Sequence, residues 1–263
     1  KERVMRVPSD IRRTICMGDD VVDKDNNVQI SMQQETKSAV VVLGSAANPP
    51  HMGHFHCLEV GKKKAEDLGY HVLFTTLAIA PYGYVRKKME RQQKKQQQED
   101  VDSNCFLLPD SSRLHLIDLL ASNINADDSS FSDSSLSFKA PPKCFGSALE
   151  CGRALRTSDD VTVVVVVGGD RSKMKWRKAP KNDQITVCCA RDKDQITELH
   201  DSFESDKKEG LVLDHSYYFA MGVGPPTSST IIRSIIEDDD LEDKMPELLK
   251  HGYSKEAARF LCS

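Results

Sequence analysis

Apolar residues in this chain gather into short unbroken runs, separated by polar stretches in which hydrophobic positions recur every three or four residues. The first run, Ala39-Val40-Val41-Val42-Leu43, reads as a buried strand. Phe55, Leu58, Ala65 and Leu68 then fall on one helical face, and Gly69 supplies a C-terminal stop. His71-Val72-Leu73-Phe74-Thr75 is a second strand, so strand, helix and strand in that order predict a right-handed parallel crossover. The clearest strand is Val161 to Val167, which lacks polar alternation after Thr162 and is expected to be buried on both faces of a parallel sheet. Ile185 to Cys189 is a further strand, and Ser216 to Ala220 is the last.

Between and after these runs lie the helical and irregular stretches. Arg86 to Asp102 is dominated by Lys, Arg, Gln and Glu and reads as an exposed helix or a loop. Ser111 to Leu120 has helical periodicity with Asp110 or Ser111 as its cap, whereas Asn123 to Ser137, rich in Ser, Asp and Asn, reads as a loop. A short helix is expected at Ser147 to Leu155. Towards the C-terminus, Ser228 or Ser229 can cap Thr230 to Glu237, Pro246 suits a first helical turn, and Ser254 can cap the final helix. The fold expected is therefore α/β, a Rossmann-like parallel sheet with helices on both faces. Residues 1–37 form a polar N-terminal extension, and residues 38–263 form one domain with polar insertions near 86–102 and 123–137.

A length of 263 residues is enough to bury a substantial core. The formal net charge of −4 argues against a general nucleic-acid binder. No apolar run approaches the length of a membrane span, and residues 1–37 hold no signal-like apolar region, so the expectation is an intracellular, cytoplasmic protein with no membrane partner. The lysine clusters at 62–64 and 94–95 are too short to read as a nuclear signal, which leaves the nucleus open along with the homo-oligomeric state. Eight cysteines with no C-x-x-C pair fit neither a zinc site nor a secreted disulfide framework, and Cys188-Cys189 reads as buried and reduced.

Candidate chemistry starts after the first strand, in Gly44-Ser45-Ala46-Ala47-Asn48-Pro49-Pro50-His51-Met52-Gly53-His54. A tight turn that opens a helix gathers exposed backbone N–H groups and the positive end of the helix dipole at one spot, which suits a phosphate. Two histidines three apart also read as a metal pair or as surface residues; the preceding strand and turn favour the phosphate. Pro226 to Arg233 is a second candidate, with hydroxyls at a helix start and an arginine one turn on, although an ordinary Ser/Thr cap has the same pattern.

The first stretch resembles the H-x-G-H signature of the nucleotidyltransferase superfamily, in the longer form G-G-T-F-D-P-x-H-x-G-H carried by nicotinamide and nicotinate mononucleotide adenylyltransferases. Gly44, Asn48, Pro49, His51, Gly53 and His54 fall on pattern positions, while Ala47 stands where that family has Phe. Ser228-Ser229-Thr230-Ile231-Ile232-Arg233 resembles the same family's I-S-S-T-x-I-R. By that resemblance, Gly168 and Asp170 correspond to the strand-terminal G-x-D that binds a nucleotide ribose. Trp176 corresponds to a tryptophan that stacks on the nicotinamide ring, with a core or surface-patch tryptophan as the equal reading. Lys87 and Lys88 resemble lysines near the substrate phosphates, with a solvated charge run as the plainer reading. Arg113 resembles an arginine of an H-R-x-x-M helix and serves as a register marker.

The resemblance implies transfer of AMP from ATP to the phosphate of a nicotinamide or nicotinate mononucleotide, with release of pyrophosphate. His54, His51 and Arg233 would be the catalytic residues. Gly44, Ser45, Ser228, Ser229, Thr230, Lys87 and Lys88 would hold ATP and its phosphates. Mg²⁺ would ride mainly on the phosphates, with no protein ligand assigned. The alternatives are another transferase of the same type, acting on pantetheine phosphate or as a cytidylyltransferase, and a nucleotide-binding protein without activity.

Overall fold

The computed structural model describes residues 37–96, 106–126, 137–170, 175–179, 181–222, 224–238 and 243–263. The expected extension over residues 1–37, apart from Lys37, and residues 97–102 and 127–136 of the two polar insertions lie outside these. Five strands form one sheet: β1 (Lys37–Ser45), β2 (Tyr70–Ile79), β3 (Thr162–Gly168), β4 (Gln184–Ala190) and β5 (Tyr217–Met221). Their order is β2-β1-β3-β4-β5, and every pairing is parallel. The fold is thus α/β with a Rossmann-like parallel sheet. The chain enters at β1, moves outward to β2 and then returns past β1 to β3. That reversal opens a crevice at the carboxyl ends of β1 and β3, where parallel sheets commonly bind ligands.

Strand periodicity divides the core into two layers. On one face, Val41 and Leu43 of β1, Val164 and Val166 of β3, and Val187 and Cys189 of β4 pack with α1 (Met52–Asp67), α3 (Asp110–Ala126), α6 (Ser229–Glu237), α7 (Met245–Lys250) and α8 (Lys255–Cys262). On the other, Val40, Val42, Val163, Val165 and Cys188 pack with α4 (Ala148–Leu155) and α5 (Lys193–Lys208). The all-apolar runs follow from this double coverage, because both side-chain rows of each central strand meet a helix. Two glycines bring helices close to the sheet. A Cβ on Gly61 of α1 would lie 2.4 Å from Val166 Cγ2, and one on Gly152 of α4 would lie 2.4 Å from Val163 Cγ1.

Several elements differ from the sequence-based expectation. The second strand runs on to Ile79, because Thr75 to Ile79 are all buried between β1 and the segment around Phe138, which pairs with Thr75 outside the edge of the sheet. The charged stretch at Arg86 takes the helical one of its two expected readings, as part of α2 (Tyr82–Gln96), but it is not wholly exposed, because Val85 and Met89 are buried and give it an inner face. Helix α3 continues to Ala126, through the start of the expected loop, and Asp110 is already helical, so it does not cap from outside. Helix α5 has no counterpart in the sequence reading. Its signals are Asp192, whose side chain accepts from Gln195 N, and an Ile196, Leu199, Phe203 stripe facing the core. The remaining helix starts fall where hydroxyls place them: Ser147, Ser228 and Ser254 each accept a backbone N–H at the first turn.

Gly61→Ala should lower stability by about 1–3 kcal/mol, since the added methyl meets Val166 inside a packed layer. A urea midpoint equal to wild type would show that α1 can move away from the sheet without cost.

Candidate functional site

The turn after β1 is held from all sides through its own carbonyls. Arg113 Nη1 of α3 donates to Ala46 O at 2.7 Å, Arg233 Nη1 of α6 donates to Asn48 O at 2.7 Å, and Ser229 Oγ donates to Pro49 O at 2.8 Å. Tyr253 Oη, from the α7–α8 connection, donates to Pro50 O. The Asn48 side chain adds two bonds, donating to Phe106 O and accepting from Leu108 N. Proline-rich turns lack N–H groups for ordinary turn bonding, so side chains from distant parts of the chain satisfy these carbonyls. Ala47, fully buried, takes φ +43°, a sparsely populated region for a residue with a Cβ, and its N–H donates to Ser45 Oγ at 3.1 Å.

The two histidines sit where this turn becomes α1. His51 is the N-cap, and its N–H donates to His54 Nδ1 at 3.2 Å. With Nδ1 accepting, the neutral His54 ring carries its proton on Nε2, which donates to Ser45 Oγ at 2.8 Å. Ser45 Oγ therefore accepts twice, which leaves its own hydroxyl proton to donate to a further acceptor. The two imidazoles lie 3.9 Å apart between centroids, tilted by 39°. Gly53 makes room for them: a Cβ there would lie 3.0 Å from the His51 ring. His51 Nδ1 is buried and has no hydrogen-bond partner.

Electrostatics keep both rings neutral. Burial pushes the His51 pKa down to about 2, with further contributions from His54, Arg191, Arg233 and His251. Burial lowers His54 to about 4, assisted by Lys88 and opposed by the bond from His51 N–H. A chain of net charge −4 thus places Lys88, Arg191 and Arg233 around two uncharged imidazoles. Such a spot favours an anion and penalises a second cation.

The other sequence-derived residues are distributed as follows. Gly44 lies at the exposed end of β1 against the first residue of α4, with Ala148 Cβ 3.3 Å from where its own Cβ would be. Ser228 caps α6, and Thr230 Oγ1 accepts from Arg233 Nη2 at 3.1 Å. Lys88 is half-buried and acts electrostatically on His54, whereas Lys87 is exposed. Gly168 ends β3, and the exposed Asp170 is close enough to act electrostatically on Cys57 of α1. Of the two readings open for Trp176, the structure takes the core one. Its ring is fully buried, surrounded edge-on by Phe203, Tyr217 and Phe219, with Nε1 donating to Asp206. It belongs to the core on the α5 face and presents no surface for a nicotinamide ring. The indole is held there by aromatic packing and by the Asp206 carboxylate, which also pairs with Arg177.

Three residues at the site went unread as functional in the sequence. Arg113 is fully buried, pairs with Asp110 and holds the turn; Tyr253 does the same from the far end of the chain; Arg191 follows β4 and acts on His51. Arg113 had its position in a helical pattern as a signal. Tyr253 and Arg191 had none. Among the described residues, no group of three or more His, Cys, Asp or Glu is arranged to hold a metal ion, and the groups facing the turn are imidazoles, hydroxyls and cations. That donor set does not fit a hard oxygen-seeking Mg²⁺. No helix among the described residues is long and apolar enough to cross a membrane. In comparisons with known proteins, no family model and no curated protein matches this chain.

Tyr253→Phe leaves the buried Pro50 carbonyl without its donor and should cost about 1–3 kcal/mol in denaturant unfolding. For His54, the folded-state pKa of about 4 lies below the ordinary 6.5, so the unfolded chain binds the proton more readily in that interval. Stability from this group is complete above pH 6.5 and is lost as pH falls towards 4. His54→Gln should therefore flatten the decline of unfolding free energy between those values by up to about 1 kcal/mol per pH unit, and an unchanged slope in urea titrations would refute the assignment.

Proposed function

We propose that this chain is an adenylyltransferase that joins AMP from ATP to the phosphate of a nicotinamide or nicotinate mononucleotide and releases pyrophosphate. One observation carries the reading: Ser229 and Arg233 hydrogen-bond directly to the Pro49 and Asn48 carbonyls, so two phosphate-type motifs from opposite ends of the domain form one site at the carboxyl end of β1. The helices α1 and α6 open there, and their first backbone N–H groups supply donors for phosphate oxygens.

The acceptor phosphate is already ionised near neutral pH, so the reaction needs neither a protein nucleophile nor a strong base. The burden falls on holding two anions in line and on neutralising charge that builds on the α-phosphate and the leaving pyrophosphate. Lys88, Arg191 and Arg233 supply the positive potential, and the Ser45 hydroxyl supplies a neutral donor. His54 orients that hydroxyl through Nε2 and stays uncharged, which spares the site a buried cation before ATP arrives. Magnesium would enter with ATP, held by phosphates and water, and no step is assigned to a protein-bound metal.

The burial of Trp176 favours a second reading, in which the same adenylyl or cytidylyl transfer is directed to an acceptor phosphate that carries no pyridine ring. The decisive experiment is pyrophosphate release by the purified chain with ATP, Mg²⁺ and each mononucleotide in turn. Release with either mononucleotide supports the first reading; ATP binding in calorimetry without release supports the second or a binding protein. His54→Ala should lower turnover by about 10²–10³-fold. Near-normal turnover in that variant would remove His54 from the mechanism.

A further inference from the structure

Among the described residues, Arg113 of α3 is the one arginine that is completely buried. Its guanidinium donates from Nη1 to Ala46 O at 2.7 Å and from Nη2 to the partly exposed Asp110, while its buried Nε has no hydrogen-bond partner. Enclosed in this way, Arg113 cannot touch a ligand itself. Burying a guanidinium is costly, and a neutral donor is enough to satisfy one turn carbonyl. Its charge therefore points to an effect passed on through Ala46.

The route is short. The carbonyl of Ala46 and the N–H of Ala47 belong to one planar peptide unit, and that N–H donates to Ser45 Oγ at 3.1 Å. Arg113 holds the unit at its oxygen and Ser45 holds it at its nitrogen. The hold matters because this orientation gives Ala47 a φ of +43°, which its Cβ disfavours. Turning the peptide over would relieve Ala47 and aim its N–H away from Ser45. Charge adds to geometry: a cation on the carbonyl oxygen polarises the peptide and strengthens its N–H as a donor. A hydroxyl oxygen that accepts a stronger bond becomes in turn a better O–H donor. The Ser45 backbone is fixed separately, since its carbonyl accepts from Ala80 N–H at 2.9 Å. What the Ala46–Ala47 peptide and His54 set is thus the direction of the half-buried Ser45 side chain.

We propose that Arg113 is a positioning residue for the Ser45 hydroxyl, which it orients and strengthens as a donor through the Ala46–Ala47 peptide. That a substrate phosphate oxygen receives this donor rests on the adenylyl-transfer reading.

The test uses the full chain as Arg113→Met, Ser45→Ala and the double variant. Amide exchange is followed on protein made with isotope-labelled alanine, with Ala39 of β1 and Ala190 of β4 as references that a general loss of stability would move as much as Ala47. Arg113→Met and Ser45→Ala should each speed exchange of the Ala47 N–H by about 10-fold or more relative to those references. In pyrophosphate release, Arg113→Met should lower kcat by about 10-fold or more when Ser45 is present and by less than about 2-fold when it is alanine, with KM for ATP changing less than kcat. Arg113→Lys replaces the planar fork by a point charge and should give the same pattern with a smaller loss; it carries the comparison where the methionine variant does not fold. Ala47 exchange that stays at the wild-type rate relative to the sheet in Arg113→Met would overturn the proposal. So would a kcat loss as large without the Ser45 hydroxyl as with it. Wild-type protein that releases no pyrophosphate with either mononucleotide would refute the adenylyl-transfer reading, and the Ala47 comparison would still decide whether Arg113 holds the peptide on Ser45.

Discussion

Everything at the site depends on how the turn between β1 and α1 satisfies its own backbone. Prolines at 49 and 50 remove two N–H groups, and the carbonyls of Ala46, Asn48, Pro49 and Pro50 point away from the sheet ladder. A buried carbonyl without a donor costs on the order of 1–3 kcal/mol, so the turn persists only if the rest of the domain delivers donors. It does so with Arg113, Arg233, Ser229 and Tyr253, drawn from α3, α6 and the α7–α8 connection. Those bonds fix Ser45, His51 and His54 relative to the sheet, and they tie α6 to the turn that precedes α1. The candidate site and the packing of the second half of the chain therefore have one physical origin.

The same arrangement explains why the histidines are uncharged. Tying down the turn encloses the rings, and enclosure in the presence of Lys88, Arg191 and Arg233 disfavours a further positive charge. A neutral imidazole with Nδ1 occupied has a single remaining role for its proton, donation from Nε2, and the structure directs it to Ser45. The positive potential is thus left to residues with permanent charge at the rim. Cys57, one turn along α1 from His54, lies in the same field, where Arg191 and Asp170 act in opposite directions on it.

Trp176 illustrates the limit of motif reasoning. A single tryptophan soon after a Gly-Gly-Asp segment has the same one-dimensional appearance whether it stacks on a ligand or fills a core. Its surroundings decide, and here Phe203, Tyr217, Phe219 and Asp206 come from α5 and β5, segments whose positions are set by sheet order. Helix α5 and the position of the tryptophan go together, because the Phe203 and Asp206 partners that hold the indole in the core are both on α5.

From its sequence alone the chain determined its parallel sheet, because continuous Val and Ile runs can be buried only where both faces of a strand are covered. It also determined the starts of α4, α6 and α8, since Ser147, Ser228 and Ser254 satisfy backbone N–H groups within a few residues of themselves. The candidate histidines and Arg233 were legible for the same reason, as each sits at a local strand-to-helix or loop-to-helix junction. Tertiary structure alone decided what faces what. Arg113 and Tyr253 reached the turn, Arg191 and Lys88 came close enough to act on the histidines while Lys87 stayed exposed, and Trp176 went to the core. Those outcomes depend on contacts between residues far apart in the chain, and a local pattern of residue types carries no information about such distances.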